Sequence, residues 1–352
     1  MTADALLAGL AARVAPSLAE AVESLPEPVL GAARHQLGLD HAGKSGKSLR
    51  PALALLCADG CGRLDAGLPA AVAVELIHNA SLLHDDIIDG DAVRRHRAAA
   101  WRACGVGPAL LAGDALTALA LSVLSRAPRR ADLALACMAR TLNDLVVGQV
   151  LDVAFEIRQV VATDQYIAMA NGKTAVLMQA ACELGALLAG ADAGRVEALG
   201  GFGRHLGIAF QMVDDYLGVW GTEEQTGKPA ASDIRSRKKT FPVTVALAEA
   251  SPQAQRLRKL YQQPAALTPE QVRLAVSLLD QTTARDTCRQ AVEQAHAIAI
   301  QRLNLACVAP QARRSLLDLA DYVVARRRLA DLAPEQPSDV GPHQTPVGLS
   351  PR

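Results

Sequence analysis

Leu82-Leu83-His84-Asp85-Asp86-Ile87-Ile88-Asp89 is the stretch whose reading decides the fold. Its apolar residues surround three carboxylates in a pattern that suits a helix and no strand. Asp85 and Asp89, four residues apart, project from one helix face about 6 Å apart along the axis. Like charges at that spacing weaken a helix unless a cation bridges them. A solvated acidic helix end is the plain alternative, but Leu82, Leu83, Ile87 and Ile88 mark this helix as largely buried. A second run, Phe210-Gln211-Met212-Val213-Asp214-Asp215-Tyr216-Leu217-Gly218, repeats the device. Carboxylates in an apolar setting are costly unless they are paired or coordinate a metal. Two such clusters facing each other across a helical bundle would hold Mg²⁺, and Mg²⁺ held by carboxylates usually also holds a phosphate.

Outward from these runs the composition agrees. The chain has 352 residues, half of them hydrophobic but only 3% aromatic, so its core is built from Leu, Ala, Val and Ile. Alanine and leucine are strong helix formers, and no run of alternating β-branched residues stands out. The class expected is all-α: a single helical domain over residues 1–332, with a helical arm over 1–38 broken at Pro26 and Pro28. Residues 333–352 shift to Pro, Gly, Ser and Gln and read as a disordered tail. Equal numbers of basic and acidic residues, 36 each, give no electrostatic case for nucleic acid. Seven scattered cysteines without a repeated CxxC read as thiols in a reducing cytoplasm. The N-terminus lacks a basic signal-peptide region, and no apolar run reaches membrane-spanning length without charges or breakers.

Cations gather near both aspartate runs. His78 lies two helical turns before Asp85, and Arg94 and Arg95 follow Asp89; arginines suit phosphate oxygens bidentately. Upstream, Gly46-Lys47-Ser48-Leu49-Arg50-Pro51 has the look of a nucleotide-binding P-loop, but that motif needs glycine where His41 stands, and a preceding strand. Lys47 and Arg50 entering a helix still make an anion site. After the second run, Thr226-Gly227-Lys228 and Lys238 add cations on a polar loop running from Trp220 to Thr240, of the kind that closes over a bound phosphate.

Taken in order, these motifs resemble the trans-prenyltransferases, the isoprenyl diphosphate synthases, over about residues 46–328. The resemblance rests on Gly46-Lys47-x-x-Arg50-Pro51, His78, Asp85-Asp86-x-x-Asp89, Arg94-Arg95, Gly148-Gln149-x-x-Asp152, Lys173-Thr174, Phe210-Gln211-x-x-Asp214-Asp215, Gly227-Lys228 and Asp233 through Lys238-x-Thr240. Segments such as Arg94-Arg95-His96-Arg97 look most like actinobacterial members. The resemblance implies a homodimer and a catalytic set of Asp85, Asp86, Asp89, Lys173, Thr174, Gln211, Asp214 and Asp215. It implies about three Mg²⁺ on the diphosphate of an allylic substrate, held by Asp85, Asp89 and Asp214. Arg94, Lys173, Lys228 and Lys238 would grip the same diphosphate. Lys47, Arg50, His78 and Arg95 would hold isopentenyl diphosphate. Ionisation of the allylic C–O bond, attack by the isopentenyl double bond and proton loss would complete one addition, with Thr174 and Gln211 offering dipoles to the cation.

The chain departs from the family pattern in two places. Gly218 replaces the third carboxylate of the second motif. His96-Arg97-Ala98-Ala99 replaces the usual Gly-x-Pro-Thr. Ala80 and Ser81, five and four residues before Asp85, are small where bulky residues would shorten the product; an open tunnel there points to C20, geranylgeranyl diphosphate. A terpene cyclase on the same fold would need no isopentenyl site, and a non-catalytic partner subunit would be expected to lose aspartates.

Overall fold

The computed structural model describes residues 2–40, 48–95, 97–223 and 230–331, with side chains to 326. Lys47, His96, Gly227, Lys228 and the segment 333–352 lie outside the described residues. The fold is almost wholly helical, as expected, and its helix ends follow from local chemistry. Helix α1 (Ala3–Val22) starts where the Thr2 hydroxyl accepts from Ala5 N, and α2 (Val29–Leu37) begins after Pro28 and ends at left-handed Gly38. Next come α3 (Leu49–Gly60), α4 (Leu68–Ile88), α5 (Ala100–Cys104), α6 (Val106–Ser125), α7 (Ala131–Ile157) and α8 (Thr163–Ala170). A π-type turn, Asn171–Ala175, leads into α9 (Val176–Ala189), which left-handed Gly190 terminates. Helix α10 (Ala193–Trp220) opens on an Asp192 cap to Arg195 N at 2.9 Å. Then follow α11 (Ser232–Arg235), α12 (Phe241–Ala248), α13 (Pro252–Tyr261), α14 (Pro269–Asp280), α15 (Ala284–Leu305) and α16 (Pro310–Asp331).

Helices α3 and α9 are buried almost all round, as their Ala- and Leu-rich sequences require. They form the centre of the bundle, with α4 and α10 packed against α9. One large apolar cluster joins α1, α3, α4, α6 and α9. A second gathers Tyr166, Met212, Tyr216 and Phe241 beneath the site, and a third anchors Ile234 among α12, α13 and α14.

Three features differ from the sequence reading. A two-residue antiparallel ladder pairs Val93 with Ala98 and Arg94 with Arg97, too short to show as a strand in sequence. The polar stretch 220–240 contains the short helix α11, whose Ile234 is fully buried. Finally, Ala3–Val22, Leu64–Ile88 and Val106–Ser125 are long and apolar enough to cross a membrane by length and composition, whereas the sequence reading took their charges and breakers as interruptions. All three are packing elements here: α4 lies against α3, α6 and α9, and α1 against α3 and α4.

Candidate active site

Helix α4 carries two functional faces at its C-terminal end. One buries Asp86, 1% exposed, which pairs with Arg94: Arg94 Nε donates to Asp86 Oδ1 at 2.9 Å and Nη2 contacts the same oxygen. Asp86 is therefore an anchor for Arg94 and not a group facing open space; its other oxygen has no hydrogen-bond partner among the described residues. The other face presents Asp85 and Asp89. Burial raises the Asp85 pKa, Lys173 opposes that rise, and Asp89 and Asp152 add to it.

Lys173 reaches this face through a backbone arrangement that the sequence signals only as glycines. Gly148 on α7 and Gly172 in the π-type turn stack against each other. A β-carbon on Gly172 would lie 2.7 Å from Gly148 Cα, and one on Gly148 would overlap the Gly172–Lys173 peptide. This approach sets Lys173 Nζ 2.5 Å from Asp152 Oδ2, one turn along α7, and 3.8 Å from Asp85 Oδ2. Single π turns recur at functional sites because they re-aim a side chain out of register.

Across the cavity, α10 supplies Asp214 and Asp215, which differ sharply. Asp214 is 39% exposed, and its Oδ1 lies 2.8 Å from Arg326 Nη1 of α16, a close ion pair without hydrogen-bond alignment. Asp215 is buried; it accepts from Tyr166 Oη at 2.6 Å, Phe241 N at 2.9 Å and Gln211 Nε2 at 2.8 Å. Burial and Asp233 push the Asp215 pKa up to about 7 against the pull of those three donors. Thr174 Oγ1 donates to Gln211 Oε1 at 2.6 Å, so Thr174, Gln211, Asp215 and Tyr166 form one hydrogen-bonded chain. The sequence grouped Asp215 with the catalytic carboxylates; the structure places it on the cavity wall, with three donors on its oxygens.

A cavity of about 960 Å³ lies between these elements, lined by Asp89, Asp152, Lys173, Asp214, Asp233 and Lys238 among others. Burial works against the Lys238 charge, but Asp152, Asp89, Asp233 and Asp91 outweigh it and hold its pKa above the usual lysine value. Beside the cavity, Arg50 Nη1 lies 3.4 Å from His78 Nε2. Burial, then Arg50, Arg95 and Arg94, hold the His78 pKa well below its usual value, so its ring is neutral and Nε2 accepts. Arg50 Nε is buried with no hydrogen-bond partner among the described residues. Arg95 sits at the tip of the 93–98 hairpin in a left-handed conformation (φ 52°). Under these cations lies buried Glu75, accepting from Asn79 Nδ2 at 3.1 Å. Ala80 is packed in the main core, and Ser81, one residue on, is half-buried with its hydroxyl donating to His78 O at 2.8 Å.

Among the described residues no three carboxylates, histidines or thiols converge tightly enough to hold a metal ion by themselves. The carboxylates stand singly and in pairs around the cavity. That donor set fits Mg²⁺, which binds through one or two carboxylates and completes its shell with water and phosphate oxygens.

A polyprenyl synthetase family profile matches residues 36–279. The chain belongs to the polyprenyl synthetase family. It is 44% identical over 292 residues to a geranylgeranyl diphosphate synthase of Mycobacterium tuberculosis, covering 78% of this chain and 81% of that one. It is 50% identical over 214 residues to a (2E,6E)-farnesyl diphosphate synthase of Mycobacterium bovis, an alignment spanning 60% of each. Its fold matches the crystal structure of a polyprenyl synthetase from Streptomyces coelicolor with a TM-score of 0.87 and 37% identity, covering 91% of this chain and 98% of that one. This polyprenyl synthetase is thus a prenyltransferase. Members of the family use a divalent metal with diphosphate substrates.

Sequence reasoning gave no role to Asp152, Tyr166, Asp233, Arg326 or Glu75. Asp152 and Asp233 were visible as motif members, and Arg326 opens an arginine run. Nothing in the sequence marks Tyr166 as the partner of Asp215.

Proposed function

We propose that this prenyltransferase condenses isopentenyl diphosphate with an allylic diphosphate into a linear all-trans prenyl diphosphate, chiefly C20 geranylgeranyl diphosphate. The observation that carries this reading is the cavity into which α4 and α10 bring separate carboxylates, with Lys173 and Lys238 among them and a second cation group alongside. Asp85 and Asp89 on one side and Asp214 on the other would hold about three Mg²⁺ with the allylic diphosphate, and the metal supplies charge stabilisation of the leaving group. Arg94, fixed by Asp86, adds a guanidinium on the α4 side, and Lys173 and Lys238 add ammonium groups that already balance Asp152 and its neighbours. Arg50, His78 and Arg95 take the diphosphate of isopentenyl diphosphate. Lys47 and Lys228 would join the two groups. Thr174 spends its proton on Gln211, so its oxygen offers only lone pairs to a developing allylic cation. A terpene cyclase has no use for the Arg50–His78–Arg95 group, which disfavours that reading.

Product length tests the C20 assignment. Ser81→Phe is expected to shift the main product from C20 to C15 or shorter, with total turnover within about threefold and a discrimination of about 10- to 100-fold against the longer chain. Mass spectrometry of the products reads this, and an unchanged chain length would place the limit away from α4.

The homodimer also finds support. Val146, Val147, Val150, Val153 and Ile157 form an exposed apolar stripe on α7, and Leu110 and Leu111 are exposed on α6, which packs against α7. Contiguous exposed apolar surface of this kind marks a contact surface, and a second copy, presenting the same stripe, is the occupant. Light scattering at micromolar concentration is expected to give a dimer for the wild type and a monomer for Val147→Asp/Val150→Asp; a dimer in both would move the interface elsewhere. Among the described residues no disulfide links the cysteines, and a reducing, cytoplasmic setting is part of the proposal.

A further inference from the structure

The two aspartate motifs are unequal: Asp85-x-x-x-Asp89 offers a carboxylate pair one turn apart, whereas Asp214 is followed one turn later by Gly218. The space that a side chain at 218 would fill is occupied. A β-carbon on Gly218 would overlap Asp233 Oδ2, and Asp233 Cβ would lie 3.4 Å from it. Asp233 thus lies over the turn of α10 that follows Asp214, and lines the same cavity. It is held there by its own short helix. Fully buried Ile234 pins α11 into the third apolar cluster, and left-handed Ala231 and Arg237 turn the chain at either end. Lys238 N closes the segment by donating to Asp233 O at 2.9 Å. The same closure brings Lys238 into the cavity.

We infer that Asp233 is the third carboxylate of the second metal-holding cluster, delivered from α11, and that Gly218 is glycine because Asp233 needs its place. The inference rests on the proposed Mg²⁺-diphosphate reading and extends it to a residue that reading does not use. In that geometry Asp214 and Asp233 reproduce, from two elements, the pair that Asp85 and Asp89 make on one helix. Gly218 is then a compensated exchange and not a loss of ligand.

The test is Mn²⁺ affinity in the presence of inorganic diphosphate, read from the free-ion signal in electron paramagnetic resonance, on the full chain. Asp214→Asn serves as the reference. Asp233→Asn, which keeps side-chain shape, is expected to weaken Mn²⁺ by about 10-fold or more with an unchanged helical circular dichroism spectrum. Gly218→Ala, which displaces the Asp233 carboxylate without touching its charge, is expected to weaken it comparably. The exchange Gly218→Asp/Asp233→Gly, which returns the carboxylate to α10, is expected to recover affinity to within about threefold of wild type. If Asp214→Asn weakens binding while Asp233→Asn does not, the inference is overturned and the metal reading survives. If neither weakens it, both fall. Weakening in Asp233→Asn without recovery in the exchange would also overturn the inference, because Asp233 would then be acting otherwise than in place of residue 218.

Discussion

Asp85→Ala is expected to lower turnover by about 10³-fold or more while leaving the helices intact. The size follows from what the carboxylate faces. Asp85 is the α4 carboxylate closest to Lys173, at 3.8 Å, on the wall where the allylic diphosphate would ionise. Losing it would remove one of the proposed metal-holding groups and leave Lys173 committed to Asp152. The fold should not suffer, because burial already disfavours the charged carboxylate. Lys173 also keeps its 2.5 Å partner on α7. Steady-state kinetics with circular dichroism checks both halves. Near-normal turnover in a folded variant would remove Asp85 from the metal-holding set.

The second large effect falls on stability. Asp215→Ala strips the acceptor from Tyr166 Oη, Phe241 N and Gln211 Nε2, the first of which sits on a fully buried ring. Each buried donor left unpaired costs about 1–3 kcal/mol, partly offset by no longer burying a carboxyl group, so a net loss of about 2–4 kcal/mol is expected. The pH dependence gives the sharper signature. Folded Asp215 titrates at about 7, against about 3.9 in the unfolded chain. Between those values the folded state holds a proton that the unfolded state has released, so this group's contribution is fully present below about pH 4 and is lost as pH rises through 7. Asp215→Asn, which cannot titrate, removes that slope. Urea melts in metal-free buffer should show wild-type stability falling by about 2–3 kcal/mol relative to Asp215→Asn between pH 5 and 7.5. Parallel profiles would contradict the buried, proton-holding state.

What the sequence made legible was whatever depends on spacing within one helix. Asp85 with Asp89, His78 two turns earlier, and Lys173 beside Thr174 all follow from helical periodicity, as does the all-α class. What it hid depends on contacts between elements distant in the chain. Asp86 and Asp215 look like their neighbours in sequence, yet Arg94 claims one, and Tyr166 with Phe241 N claims the other. Gly218 reads as a missing ligand until α11 is seen lying over it. The exposed valines of α7 are interspersed with Gln149 and Asp152, and only packing shows that their stripe stays uncovered in a single copy.

The most direct measurement is a product assay. Purified protein is given isopentenyl diphosphate, Mg²⁺ and, in turn, dimethylallyl, geranyl or farnesyl diphosphate, and chain lengths are read by mass spectrometry. The expected result is one linear prenyl diphosphate, C20, from all three starters. No elongation of any of them would contradict the proposed condensation.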